Sequence, residues 1–471
     1  MDATDLAYAG AAEQARLIRE GVVTARDVIE ATLARVERLN PKLNAYRIVF
    51  AERALAEADQ ADARNGAGQS RPLLGVPVAI KDDADIAGES TPWGTGANDA
   101  VKRTDSDVVA RLREAGAILI GKTNVPELTI WPFTETLTFG AARNPWNTDH
   151  TPGGSSGGTG AAVAAGLCGV ALGSDGAGSI RIPASFNGLF GIKPQRDRVS
   201  LGPDHHDAWN GLSVSGPLAR SVADAALFLD ATADDLPRGG FTAALDEELE
   251  PLRIAVSMKP PPPLTASVKL HDEQRRAIEQ TAQLLRDLGH TVIEREVDYP
   301  ASAFLQTTLR YLAGITQDLA TLQRPERTER RTRTMARLGG LIPAAQLAKA
   351  RSGEAALARQ INTIYEHADV VLMPGATGAP FRVGELHGRS ALWALNASAL
   401  RVPYYGVWNA IGQPAASVPA GFDSAGLPLA AQLCGRAGDE ATLLRLSAQI
   451  EAARPWAQHR PALDAAVPVA A

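Results

Sequence analysis

Apolar and polar positions follow two periods along this chain. Between residues 24 and 39 the apolar side is Val28, Ile29, Ala31, Leu33, Val36 and Leu39, the spacing of a helix with one buried face. Thr24 followed by Asp27 makes a capping-box pattern at its start, and Pro41 marks its expected end. Helices are also predicted over residues 5–20, 51–64, 106–115, 221–229, 273–288 and 439–452, the one at 221–229 opening on a second capping-box pair, Ser221 and Asp224. Short apolar runs predict strands at 45–50, 76–80, 117–120, 252–257, 291–297, 370–373, 416–419 and 430–433. Residues 303–367 read as mostly helical, Pro260 to Pro263 as a rigid polyproline spacer, and the Ala/Pro-rich tail as loose. No internal repeat is visible.

Strand, helix, strand at this spacing is the pattern of an α/β fold. The expectation is a single large domain with a mixed, mostly parallel central sheet covered by helices on both faces. Length alone, 471 residues, would accommodate up to three domains. Three regions are expected within the one domain. Residues 1–70 form a helical shell, 71–230 a core carrying the candidate chemistry, and 231–471 the remainder, with a helical pocket or lid region at about 300–367.

Composition narrows the function classes. The net charge of −6 gives no reason to expect a nucleic-acid or membrane-surface partner. Six arginines between Arg324 and Arg337 are the one basic run, and the acidic chain around them favours a solvated helix or lid. Two distant cysteines, Cys168 and Cys434, sit in apolar surroundings and read as buried thiols of a reducing compartment. The acidic N-terminus lacks a signal-peptide layout and no apolar run reaches transmembrane length, so a cytoplasmic protein is expected. The eight histidines show no metal-ligand spacing, and the pair His205-His206 reads as a polar loop. No metal or other cofactor is expected.

The candidate chemistry lies between Gly153 and Arg181. Gly153-Gly154-Ser155-Ser156-Gly157-Gly158 and Gly176-Ala177-Gly178-Ser179-Ile180-Arg181 are two glycine-rich turns, each presenting a serine. They flank a small-residue, helix-compatible segment that Gly166 interrupts. Such turns can aim a hydroxyl and several backbone N–H groups at one point, which is what acyl transfer needs. Flexible linkers, phosphate cradles and plain structural turns use similar residues. The first turn has no Gly-Lys-Ser/Thr ending. It matches Gly-x-Ser-x-Gly formally, but no apolar strand leads into it as a nucleophile elbow requires. On the two turns alone, catalysis and a structural turn remain level.

The two serine turns, together with Gly75-Val76-Pro77-Val78-Ala79-Ile80-Lys81-Asp82 upstream, resemble the amidase signature family. Gly121-Lys122-Thr123-Asn124, Arg143-Asn144-Pro145-Trp146, Gly191-Ile192-Lys193-Pro194 and Gly426-Leu427-Pro428 extend the resemblance over nearly the whole chain. It implies the amidase signature fold and a serine hydrolase built on a lysine, a serine with a cis peptide bond and a second serine, here Lys81, Ser155 and Ser179. In that scheme Ser179 attacks the carbonyl and Ser155 relays its proton to Lys81. The N–H groups of Gly176, Ala177, Gly178 and Ser179 hold the oxyanion. An ammonium cannot accept a proton, so Lys81 has to be neutral at rest, as burial favours. Asp175 and Arg181 bracket Ser179 and are expected to pair and brace the turn, rather than Arg181 meeting an acidic substrate group.

The chain departs from the family pattern in three places: Ala177 for a glycine, Asp83 for the asparagine of Lys-Asp-Asn, and Gln195 to Arg198 for a glycine-bearing segment. Thr129 and Trp131, with Tyr404 and Trp408 in the aromatic-rich stretch 393–408, are the candidate substrate contacts. The expected activity is cleavage of carboxylic amides, extending to esters or carbamates, through an acyl-enzyme. The expected partners are a small amide and water, in a monomer or homodimer. Two alternatives stand beside it: the glutamine-hydrolysing subunit of a tRNA-dependent amidotransferase, and an inactive binding protein on the same fold.

Overall fold

The computed structural model describes residues 2–205 and 207–463. Its strands are β1 (Tyr46–Val49), β2 (Pro77–Lys81), β3 (Ile118–Thr123), β4 (Glu135–Thr136), β5 (Gly140–Ala141), β6 (Val170–Asp175) and β7 (Phe190–Lys193). They continue as β8 (Val214–Ala219), β9 (Arg253–Val256), β10 (Thr291–Glu294), β11 (Val370–Pro374), β12 (Ala415–Phe422) and β13 (Pro428–Cys434). Eleven form one sheet in the order β1-β3-β2-β6-β8-β7-β12-β13-β11-β9-β10, and β4 pairs with β5 apart from it.

Side-chain alternation explains why helices cover both faces. Along β2, Val78 and Ile80 point into one apolar cluster with Val222, Phe228 and Leu443, while Ala79 points into another with Val28 and Ala161. Along β11, Val370 and Leu372 join the first cluster, and Val371 and Met373 join a third beneath the helices after residue 303. The parallel pairs form two blocks, β3-β2-β6 and β11-β9-β10. The central pairs from β6 to β11 are all antiparallel, so the middle of the sheet is less parallel than the strand-helix-strand spacing suggests. Two features account for this. β12 and β13 are joined by a tight turn whose Asp423 carboxylate accepts from the N–H groups of Ala425 and Leu427. β7 and β8 had no periodic signature, since Gly191, Gly216 and Pro217 break their apolar runs.

Most predicted elements are present. Both capping boxes form, at Thr24 with Asp27 and at Ser221 with Asp224. Each cap is worth about 1 kcal/mol of helix stability. The first predicted helix is split at Gly10 into Ala3–Tyr8 and Ala11–Arg19. The next runs past Pro41 to Leu43, stopping at Asn44 in a left-handed conformation. The polyproline run has a cis bond at Pro262–Pro263. Between residues 303 and 361 the chain is helical as expected, in Ala303–Thr321, Arg330–Gly340, Ala344–Ser352 and Glu354–Ile361. Both cysteines are buried and unbridged. The end of the Ala/Pro-rich tail, 464–471, and His206 lie outside the described residues. Among the described residues no helix is long and apolar enough to cross a membrane.

Candidate active site

β2 is buried along its whole length, and Lys81 is its last residue. Its parallel neighbour β6 pairs Ile80 with Leu172, so Ser174 and Asp175 extend beyond Lys81 at the carboxyl edge of the block. Directly after Asp175 the chain turns through Gly176, Ala177, Gly178 and Ser179 into the helix Arg181–Asn187. The other glycine turn sits against it: the Ser156 N–H donates to the Ser179 carbonyl at 3.3 Å. The Gly154–Ser155 peptide is cis. Gly154 lies so close to the chain at Trp131 that a side chain there would come within 2.3 Å of that carbonyl.

This packing brings Lys81 and Ser155 together. Lys81 is fully buried, and its Nζ lies within hydrogen-bond distance of Ser155 Oγ at 2.7 Å, Ser174 Oγ at 2.6 Å and the Ser174 carbonyl at 3.3 Å. Asp83 Oδ2 lies 3.1 Å from the same nitrogen and accepts from Ser174 Oγ at 2.5 Å. Burial pushes Lys81 below the ordinary lysine range, against the opposing charges of Asp83 and Asp175. Ser179 lines the same cavity as Ser155, and its hydroxyl has no hydrogen-bond partner among the described residues.

Asp175 and Arg181 are both fully buried and pair at 2.9 Å. The guanidinium is completed by Gln432 Oε1, Asn409 Oδ1 and the Tyr405 carbonyl, which leaves it nothing to offer a substrate. Asp175 also accepts from the N–H groups of Gly178 at 2.6 Å and Ile180 at 3.1 Å, so the pair organises the turn. Burial alone would raise Asp175, but Arg181 holds it well below the usual carboxylate range. The Gly178 N–H is therefore spent on Asp175. The other three expected oxyanion donors, Gly176, Ala177 and Ser179, have no partner for their N–H groups among the described residues. Gly178 has φ 118°, a conformation that needs glycine, whereas Ala177 has no positive φ, so the turn accepts alanine there.

Two adjoining cavities share Thr129, Ser179 and Trp209. The smaller, about 80 Å³, is the more polar of the two and includes Asp83, Ser155, Ser174 and Asp318. The larger, about 190 Å³, is apolar, with Trp131, Ile182, Phe304, Tyr311, Leu395 and Val402 in its wall. Thr129 and Trp131 thus lie at the cavities. Tyr404 and Trp408 do not: both are buried in the core, and the Tyr404 hydroxyl donates to the Met258 carbonyl. Their stretch contributes aliphatic wall residues instead, because the helix Ala391–Arg401 turns Leu395 inward and leaves Trp393 exposed. The sequence reasoning missed Ser174, Trp209 and Asp318. Asp318 accepts from Trp209 Nε1 at 2.6 Å, and burial, with the Asp83 charge adding, raises it to about 6. Among the described residues no three His, Cys, Asp or Glu side chains are grouped as metal ligands would be.

The amidase family model matches residues 27–444. The chain belongs to the amidase signature family. AmiB2, a presumed amidase of Mycobacterium tuberculosis (strain ATCC 25618 / H37Rv), is 54% identical over 98% of this chain and 100% of that protein. A glutamyl-tRNA(Gln) amidotransferase subunit of Synechococcus sp. (strain CC9902) is 34% identical over 94% of this chain and 96% of its own. Among solved structures, 6-aminohexanoate cyclic dimer hydrolase with its substrate superposes with a TM-score of 0.86 at 31% identity, over 97% of this chain and 99% of that one. The chain is accordingly an amide hydrolase of this family, which answers the reading of it as an inactive binding protein.

Proposed function

We propose that this amidase cleaves small carboxylic amides with Ser179 as nucleophile, Ser155 as proton relay and Lys81 as base. The observation that carries the reading is the 2.7 Å contact between a fully buried Lys81 amine and Ser155, in a cavity that also holds the unpartnered Ser179 hydroxyl. Ser179 Oγ bonds to the amide carbon as its proton passes to Ser155 and the Ser155 proton passes to Lys81. The oxyanion rests on the N–H groups of Gly176, Ala177 and Ser179. Return of the proton through Ser155 to the nitrogen releases the amine and leaves an acyl-Ser179. Water, activated by the same relay, frees the acid and restores all three residues. The apolar cavity suits an alkyl or aryl arm beside the scissile bond. Esters and carbamates pass through the same tetrahedral intermediate and are expected as lesser substrates. The enzyme needs no cofactor, nucleic acid or membrane and works in the cytoplasm as a monomer or homodimer.

A serine-directed fluorophosphonate, followed by peptide mapping, tests the assignment. It should label Ser179, and Ser179→Ala should lose both labelling and turnover in a screen of aliphatic amides, anilides, esters and carbamates. Near-normal turnover by the pure variant would refute the reading. The likeness to an amidotransferase component keeps a second reading in view, ammonia release from glutamine for a partner. Hydrolysis of anilides by the isolated chain would set that reading aside.

A further inference from the structure

We propose that Asp83, which stands where the family pattern has asparagine, is a positioning residue that orients the Lys81 amine through Ser174 and stabilises it once protonated. The inference rests on Lys81 acting as the base. Four oxygens surround Lys81 Nζ: Ser174 Oγ at 2.6 Å, Ser155 Oγ at 2.7 Å, Asp83 Oδ2 at 3.1 Å and the Ser174 carbonyl at 3.3 Å. A neutral amine has two N–H donors and one lone pair, so its partners must be sorted.

Asp83 does the sorting. A carboxylate only accepts, so the 2.5 Å contact fixes the Ser174 hydroxyl as donor to Asp83. Ser174 Oγ must then accept from Lys81, which uses one N–H. The second N–H goes to Asp83 or the Ser174 carbonyl, and the lone pair is left for Ser155. An asparagine at 83 offers a donor as well as an acceptor and would release the Ser174 hydroxyl to compete with Ser155 for that lone pair. When Ser155 gives up its proton, the new ammonium stands beside the Asp83 charge.

The neighbouring charges are already committed. Asp175 on β6 is tied to Arg181, and Lys122 on β3 is tied to Asp82, which Arg47 also holds. Asp318 reaches the cavity from the helix Ala303–Thr321 and accepts from Trp209, and His205 also lines the cavity. Asp83 is the acid in direct contact with the Lys81 amine.

The test follows the rate of fluorophosphonate labelling of Ser179 against pH in the full-length protein, which needs no known substrate. Labelling should rise with pH as Lys81 becomes neutral. In Asp83→Asn the opposing charge is gone, so the half-rate pH should move down by about 1–3 units while the plateau falls at least about tenfold. Ser174→Ala keeps the charge and loses the orientation, so its plateau should fall with the half-rate pH within roughly half a unit of wild type. Should Asp83→Asn fail to fold by circular dichroism, Asp83→Ala reads the same limb. An unshifted half-rate pH, in a protein whose labelling still collapses in Lys81→Ala, overturns the role of Asp83 alone. Labelling indifferent to Lys81→Ala overturns the base assignment and this inference with it.

Discussion

Replacing Asp175 by asparagine tests whether the buried ion pair, not the glycines alone, sets the turn that carries Ser179. Asp175 receives the Gly178 and Ile180 N–H groups, Arg181 Nε at 2.9 Å and Nη2 at 3.0 Å, and Asn409 Nδ2 at 2.9 Å. Breaking a buried pair by removing one partner costs about 3–5 kcal/mol, because the other charge is left uncompensated. Arg181 would keep three neutral acceptors, which places the variant at the lower end, about 3 kcal/mol. Unfolding entropy of about 2.1 cal/mol/K per residue gives roughly 1 kcal/mol/K for 471 residues, so the melting temperature should fall by about 3 °C. Turnover should fall further, by about 100-fold, since displacing the donors by even 1 Å costs that much.

The acid limb supplies the sharper readout. The folded pKa of Asp175 is depressed, so its stabilisation is complete above the unfolded carboxylate range near 4 and is lost as pH falls below it. Thermal melts from pH 7 down to about 3 should therefore show the wild type losing a stability increment that Asp175→Asn never had. Equal melting temperatures at pH 7 with activity within twofold would refute the bracing role.

Two further outcomes are expected. Lys81→Ala should lose most turnover at neutral pH and recover part of it in alkaline buffer, where hydroxide replaces the missing base; a pH–rate profile identical to wild type would reject the relay. Gly154→Ala should fold poorly, since its new methyl would meet the Trp131 carbonyl at 2.3 Å and the Phe133 nitrogen at 2.7 Å, backbone atoms that cannot swing aside. A soluble variant with wild-type melting behaviour would show that the two segments separate at low cost.

What could be read beforehand follows from how local each signal is. The capping boxes, Lys81 at a strand end and the two serine turns are written within a few residues, so they were visible in the sequence. β7 and β8 were not, because they are central strands buried on both faces whose glycines let neighbouring elements approach, and neither shows period-2 alternation. Tyr404 and Trp408 show why composition misleads: whether a ring faces core, cavity or solvent depends on the path of the turn that holds Tyr404 and on the rotation of the helix that holds Trp408. Ser174 becomes visible only through register, since it is the pairing of β2 with β6 that carries it to Lys81.

A perturbed lysine does not by itself mark a base, as the three buried lysines near this sheet edge demonstrate. Lys81, Lys122 and Lys193 are all fully buried, and burial lowers each of them. Lys193 is lowered to about 7, with the nearby Arg181 charge adding to burial, yet its amine donates to the Pro194 carbonyl and, among the described residues, bonds to no hydroxyl. Lys122 is paired with Asp82 at 3.0 Å and donates to Thr91 Oγ1 and the Ser90 carbonyl, which consumes all three donors of an ammonium. Lys81 alone of the three stands 2.7 Å from a serine that shares a cavity with a second, unpartnered serine. The distinction is geometric: a base needs a proton donor aimed at its lone pair and a path onward to substrate, and of the three lysines Lys81 is the one with a serine hydroxyl and a cavity beside its amine, as the proposed relay requires.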